Sequence, residues 1–228
     1  MVGIIGAMPE EIQGLVNGMS ICAEKDCTNG LHIFEGTLSG KDCMVVRCGI
    51  GKVFAAMAAQ TLITLGADSI INVGVGGAIA ENLKVFDIVI ADKVFQHDLD
   101  LSPIGFSLGT SPDFTGIYVD ADKTIARGLL DSCKELNLSR SFIGTVATGD
   151  QFSTHAIKAK IMDNFENTIA IDMESAAIGQ VCSANHIPFG ILRIISNPEG
   201  ASDDFWNFKD QACTYLLQIL GKYLDRFV

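Results

Sequence analysis

Residues 193–200, RIISNPEG, carry the apolar pair Ile194-Ile195 into a polar Ser196-Asn197 pair, and Pro198 and Gly200 then break the run. A strand that stops in this way presents its last side chains at the mouth of an α/β sheet, where small-molecule chemistry is usually sited. An aspartate at position 197 could carry a proton to a leaving group. Asn197 has a similar shape, but its amide does not titrate in water, so it can hydrogen-bond and cannot deliver a proton.

Other apolar runs end on comparable groups. The first leaves Ala7-Met8 followed by Glu10-Glu11, and a glycine-rich run offers Gly74, Gly76 and Gly77. Residues 141–150 end on Thr148-Gly149-Asp150, TIAIDM ends on Asp172, Met173 and Glu174, and the last run ends on Arg193, Ser196 and Asn197. If these exits converge, their carboxylates could divide a hydrolysis, one activating water and another holding a pair of substrate hydroxyls. Acidic residues also favour helix N-termini, where they complement the dipole, and that explanation suffices for Glu10. It is weaker for Glu11 and Glu174 together, because each directly follows a different apolar run. The turn expected at G-V-G-G-A lacks the full G-x-G-x-x-G spacing of a dinucleotide site. His97 and His155 have no acid or nucleophile beside them in sequence, which favours structural roles.

The elements that must position these groups follow from periodicity. VGIIGA reads as a buried strand and PEEIQGLVNGM as the helix after it, with Pro9 in its first turn. HIFEGTL and KDCMVVRC flank a Ser-Gly turn and read as a hairpin. In GKVFAAMAAQTLITLG, Phe54, Met57, Ala58, Leu62 and Leu65 follow a helical period. DSIINVGVGGA predicts a strand and then a glycine turn, and FDIVIADKVFQHD a long strand. Residues 99–120 predict a loop, long enough to suggest a lid or binding segment. A helix (DADKTIARGLLDSCKEL), a strand (SFIGTVATGD), a helix (THAIKAKIMDNF), a short strand (TIAIDM), a helix (ESAAIGQVCSANH) and a strand (PFGILRIISN) follow. The terminal helix starts near Phe205, with Phe208, Ala212, Leu216, Ile219, Tyr223 and Phe227 along one apolar face. Strands alternating with helices, plus one hairpin, predict an α/β sandwich around a mixed sheet.

With 228 residues and no linker, repeat or shift in composition, the expectation is one domain spanning 1–228, large enough to bury its own core. A net charge of −11 without a basic cluster argues against a nucleic-acid partner. The apolar stretches are too short to span a membrane and the N-terminus does not read as a secretory signal, so a cytoplasmic protein is expected. Seven cysteines spread along the chain do not form a secreted disulfide framework. Cys22/Cys27 and Cys43/Cys48 have C-x4-C spacing, but strand alternation across MVVR would send Cys43 and Cys48 to opposite faces, so no metal site is expected.

In this order and spacing, IIGAMPEEI, CGIGKVFAA, INVGVGGAIA, FDIVIADKVFQHDLDL, ATGDQF, IDMESAAIGQVC, IPFGILRIIS and the terminal FWNF segment resemble the 5′-methylthioadenosine/S-adenosylhomocysteine nucleosidases of the nucleoside phosphorylase superfamily. The resemblance covers almost the whole chain. It implies a three-layer α/β sandwich around a mixed, partly barrel-like sheet, a homodimer in which a partner loop completes each site, a nucleoside substrate, and no metal or organic cofactor. By position, Glu11 matches the carboxylate that activates the attacking water. Met173 and Glu174 match ribose contacts, Glu174 holding the 2′ and 3′ hydroxyls, and Arg193 matches a nearby site arginine. Gly77, Phe152 and Ser153 match positions lining ribose and purine, with Ala7, Met8 and Ser196 beside them at the strand exits. Ile50, Leu101, Ile104 and Phe106 fall where the family builds its apolar 5′ pocket. Asn197 stands where the family has the aspartate that protonates purine N7, which implies preserved binding with impaired hydrolysis. A non-catalytic nucleoside-binding or storage relative and a futalosine-type nucleosidase remain alternatives. The related phosphorylases fit less well, since Met8-Pro9-Glu10-Glu11 puts a carboxylate where their phosphate would need cations.

Overall fold

The first apolar run forms β1 (Val2–Gly6), buried at all five positions, and Pro9 opens α1 (Pro9–Gly18). There follow β2 (Ser20–Asp26), β3 (His32–Leu38), β4 (Lys41–Arg47), α2 (Lys52–Thr64), β5 (Ser69–Ala78) and β6 (Ile88–Gln96). A short 3₁₀ turn (Ser102–Ile104) and β7 (Val119–Asp120) interrupt the loop, and α3 (Lys123–Glu135), β8 (Ser141–Thr148), α4 (His155–Asn164), β9 (Thr168–Asp172), α5 (Ser175–Ala184), β10 (Phe189–Ser196) and α6 (Ser202–Phe227) complete the order. This computed structural model describes residues 1–114, 116–196 and 202–228, without the side chains of 202–207, 209 and 210.

All ten strands join one sheet in the order β10-β6-β8-β9-β5-β1-β4-β3-β2, with β7 on β6. A further parallel pairing of β10 with β5, from Phe189↔Ile70 to Ser196↔Gly77, closes β5, β9, β8, β6 and β10 into a ring. The sheet is therefore mixed and partly barrel-like, as the resemblance implies, with β1 to β4 running out from β5 as an open wing. The fold places six α-helices around it among the described residues.

Two apolar layers pack on the sheet. Ala55, Ala58, Ala59 and Leu62 of α2 meet Ala176, Ala177, Ile178 and Cys182 of α5 on one face. On the other, Ile12 and Leu15 of α1, Ile125 and Leu129 of α3, and Phe208, Leu216, Ile219 and Tyr223 of α6 form the second layer. Ile161 of α4 closes a smaller cluster with Phe95 and Phe165. Cys43 lies in one layer and Cys48 in the other, as strand alternation requires.

Four local expectations change. The glycine run does not turn; β5 continues through Gly74, Gly76 and Gly77 to Ala78. The buried stripe of α2 is Ala55/Ala58/Ala59/Leu62, which leaves Phe54 and Leu65 exposed. Phe227, expected on the inward face of α6, is also exposed. The polar edge strand β2, almost wholly exposed, has no apolar alternation to announce it and is defined by its ladder to β3. No helix among the described residues is long and apolar enough to cross a membrane.

Candidate active site

The strand exits do converge. A cavity of about 330 Å³ lies where β5 and β10 end beside the first turn of α1. Ala7, Met8 and Glu11 form one side, and Val75, Gly76 and Gly77 of β5 with Ser196 of β10 form the back. Ile171 and Asp172 of β9 with Met173 and Glu174 form the opposite side, and Ile50, Gln151, Phe152 and Ser153 stand at the rim. Apart from a few polar groups the lining is apolar, which suits a planar heterocycle with a small number of fixed polar contacts.

Glu11 is 4% exposed and fully engaged by backbone. Its Oε2 accepts the N–H groups of Ala7 (2.7 Å) and Met8 (2.9 Å), and Oε1 accepts that of Val75 (3.0 Å). The Met8 bond satisfies an orphan N–H at the start of α1, so Glu11 does serve the helix terminus. The Val75 bond reaches a different element and turns the carboxylate into the cavity. Gly74 makes the approach possible, because a Cβ there would sit 2.6 Å from Oε1. Burial raises the Glu11 pKa above the usual carboxylate range, against the pull of Arg193 and the three amides.

Glu174 precedes α5 and is 7% exposed, yet it does not cap that helix with its side chain. Asp172 does so instead, its Oδ1 accepting from the N–H groups of Glu174 (3.3 Å) and Ser175 (3.2 Å) and from Thr148 Oγ1 (2.6 Å). Glu174 is left free to cross the cavity wall, where its Oε1 accepts the Gly51 N–H at 2.9 Å. Burial, reinforced by the charge of Asp172, pushes its pKa up to about 7.

Arg193 is not in the lining. Its guanidinium, 1% exposed, lies behind the wall, donating from Nε to Asp172 Oδ2 (2.9 Å), from Nη1 to the Leu192 carbonyl (3.1 Å), and from Nη2 to Asn72 Oδ1 and Ser175 Oγ. Arg193, expected as a site arginine near the ribose contacts, is a buried cation that steadies Glu11 and Glu174 from beneath and is not part of the lining.

Ala7, Met8, Glu11, Ile50, Gly77, Phe152, Ser153, Met173, Glu174 and Ser196 are thus brought together. Leu101, Ile104 and Phe106 do not line this chain's cavity; Ile104 is 71% exposed and Phe106 36%. Asn197 lies outside the described residues, although its predecessor Ser196 ends β10 in the cavity wall, bonded from Oγ to the Gly76 carbonyl (3.3 Å). Sequence reasoning overlooked Val75, Gln151 and Ile171 as lining, and Asp172 as the cap that frees Glu174. Asp172 lies two residues before the N-cap Glu174, away from the position where a capping residue is read from sequence, so only the structure shows this role. His97 is buried outside the lining, packed under Gly149, and burial lowers its pKa. Among the described residues no group of three or more His, Cys, Asp or Glu side chains is arranged to hold a metal.

The model of the phosphorylase superfamily matches residues 1–225. A 5′-methylthioadenosine/S-adenosylhomocysteine nucleosidase of Haemophilus influenzae (strain PittEE) is 36% identical over 229 residues, covering 99% of each chain. The nucleosidase of Neisseria meningitidis, solved in complex with methylthio-immucillin-A, superposes with a TM-score of 0.92 at 29% identity over 98% of each chain. The futalosine hydrolase of Helicobacter pylori gives a TM-score of 0.90 at 27% identity, over 98% of this chain and 97% of that one.

Proposed function

Since this chain belongs to the 5′-methylthioadenosine/S-adenosylhomocysteine nucleosidase family of the phosphorylase superfamily, we propose that it hydrolyses the N-glycosidic bond of these two nucleosides to adenine and the thioribose, at a rate held down by Asn197. The observation that carries this reading is the pair of buried carboxylates, Glu11 and Glu174, facing one apolar cavity of nucleoside size.

Glu11 in its ionised form takes a proton from water as the oxygen attacks the anomeric carbon. Its three backbone bonds fix it on rigid elements, so little reorganisation accompanies the step. Glu174 accepts hydrogen bonds from the 2′ and 3′ hydroxyls beside Met173. Gly77, Ser153, Ala7, Met8 and Ser196 shape the floor under the sugar and base, and Phe152 at the rim stacks on the purine. As the glycosidic bond breaks, its electron pair passes to the base, and a proton at N7 makes the base a better leaving group. Asn197 cannot supply that proton, and general acid catalysis contributes about 10²–10⁴-fold.

The 5′ substituent leaves the cavity past Ile50. A second copy of the chain would bring its Leu101, Ile104 and Phe106 over that opening, so the functional unit is a homodimer. A cytoplasmic, single-domain enzyme without metal or organic cofactor goes with this reading.

The test is adenine release by the protein and by its Asn197→Asp variant. The variant is expected to be faster by about 10²-fold or more with ligand affinity little changed, and to lose rate at alkaline pH as the new acid gives up its proton. A parent already at full enzymatic speed, or a variant that binds ligand and stays inert, would overturn the assignment of the missing acid; the inert result favours a nucleoside-binding protein. Futalosine in the same assay separates the neighbouring specificity.

A further inference from the structure

We propose that Lys52 and Asp98 are positioning residues that set the orientation of Glu174, an inference that rests on the nucleosidase reading of the cavity. Lys52 is the first residue of α2, where the helix dipole disfavours a cation. The N-cap is Gly51, which has no side chain to offer the helix, so both the charge and the capping need groups from elsewhere. Three residues from the exits of two distant strands, β6 and β8, supply them. Lys52 Nζ is 2.7 Å from Asp98 Oδ1 and 2.9 Å from Gln96 Oε1, and its backbone N–H donates to Asp150 Oδ1 at 2.8 Å. Asp150 is held in turn, its N–H donating to Asp98 Oδ2 at 2.9 Å.

Each of these ties leads to Glu174. The residue before Lys52 is Gly51, whose N–H is the hydrogen-bond partner of the Glu174 carboxylate. Gly51 has φ +100°, and a Cβ there would lie 3.0 Å from Asp150 Oδ1, so its backbone is fitted against the same aspartate. Gln96 passes the link on to α5, donating from Nε2 to Gln180 Oε1 at 2.7 Å, and α5 is the helix that Glu174 precedes. The Lys52–Asp98 pair therefore fixes both the amide that Glu174 accepts and the helix that presents it. An exposed ion pair would contribute little. Here the side chains are only 19% and 20% exposed, and the ammonium has a second acceptor in Gln96. A local rule is broken at Lys52 and compensated by long-range partners, as is expected where function sets the sequence.

The probe is the 7-deaza analogue of 5′-methylthioadenosine, which has no N7 to protonate, and its 2′,3′-dideoxy counterpart, which has no diol for Glu174. Lys52→Met should weaken the diol ligand about tenfold in calorimetry and change the dideoxy ligand by less than about twofold. Lys52→Arg should recover part of the loss by reaching Asp98 again, and Asp98→Asn should repeat the Lys52→Met pattern if that variant fails to fold. Equal weakening of both ligands, or no change in either, overturns the inference while leaving the nucleosidase reading in place. A parent protein that binds diol and dideoxy ligands alike overturns both.

Discussion

The back of the cavity and its mouth are built on opposite terms. At the back, every charged group is buried and bonded within the chain: Glu11 on three amides, Glu174 on Gly51, and Arg193 on Asp172, Asn72 and Ser175. At the mouth, large apolar side chains stand in the open, Ile50 (55% exposed) and Phe152 (62%), and Ile104 (71%), on a loop outside this chain's cavity, is just as bare. The back is preorganised before any ligand arrives. The mouth exposes apolar surface that a solvated rim does not need, which is the mark of a face awaiting a ligand or another chain. Substitutions should separate the two regions, the buried charges at the back setting stability and ribose affinity, the apolar rim setting association and affinity for the 5′ arm.

The largest effect belongs to Arg193. Arg193→Met keeps the bulk but leaves Asp172 as a buried charge whose cationic partner is gone. Breaking a buried pair in this way costs about 3–5 kcal/mol, read as a lower urea midpoint. A variant as stable as the parent would mean that the network is not the support of the site.

Glu174→Gln comes next. An amide offers one accepting oxygen where the carboxylate offers two, and hydrogen bonds to charged groups are worth about 1.5–3 kcal/mol, so ribose-ligand affinity should fall by one to two decades. The parent should also bind the diol better as pH rises through about 7, where Glu174 ionises, and the glutamine variant should lack this dependence. Stability should run the other way. A carboxyl whose folded pKa is raised stabilises fully below its unfolded value, and that contribution is lost as pH rises through the folded value. The parent should therefore lose stability relative to Glu174→Gln between its ordinary value of 4.5 and about 7. Parallel stability curves would show that Glu174 ionises normally in the folded protein.

The same contrast explains what the sequence revealed. Apolar runs that stop at polar residues marked the strand exits, so the set around Glu11, Gly77, Met173, Glu174 and Ser196 could be assembled from spacing and resemblance. The direction of a long side chain could not. Whether Arg193 rises into the cavity or sinks behind it depends on Asn72 and Ser175, which come from other elements. The glycines of β5 looked like a turn because small residues serve both turns and close approaches; Glu11 against Gly74 decides for the second. Helical spacing in α2 gave the period but not the phase, since alanines at 55, 58 and 59 form the buried stripe and Phe54 is left outside. The edge strand β2 has no apolar face, and pairing with β3 alone defines it.

The smallest effect is expected at the mouth. Ile104 and Phe106 are exposed and belong to none of the three apolar clusters, so Ile104→Ser and Phe106→Ser should leave unfolding stability within about 0.5 kcal/mol of the parent. If a second copy of the chain lays these residues over the 5′ opening, the same substitutions should weaken self-association in sedimentation. They should also lower affinity for a 5′-methylthio ligand by about tenfold or less, because a methylthio group buries little apolar area at about 25 cal/mol per Å². Affinity for adenine, which has no 5′ arm, should not change. A parent that sediments as a monomer at micromolar concentration while binding the 5′-methylthio ligand at full strength would show that the mouth needs no partner. The apolar rim would then serve the ligand alone, and the contrast with the back of the cavity would narrow to one of burial.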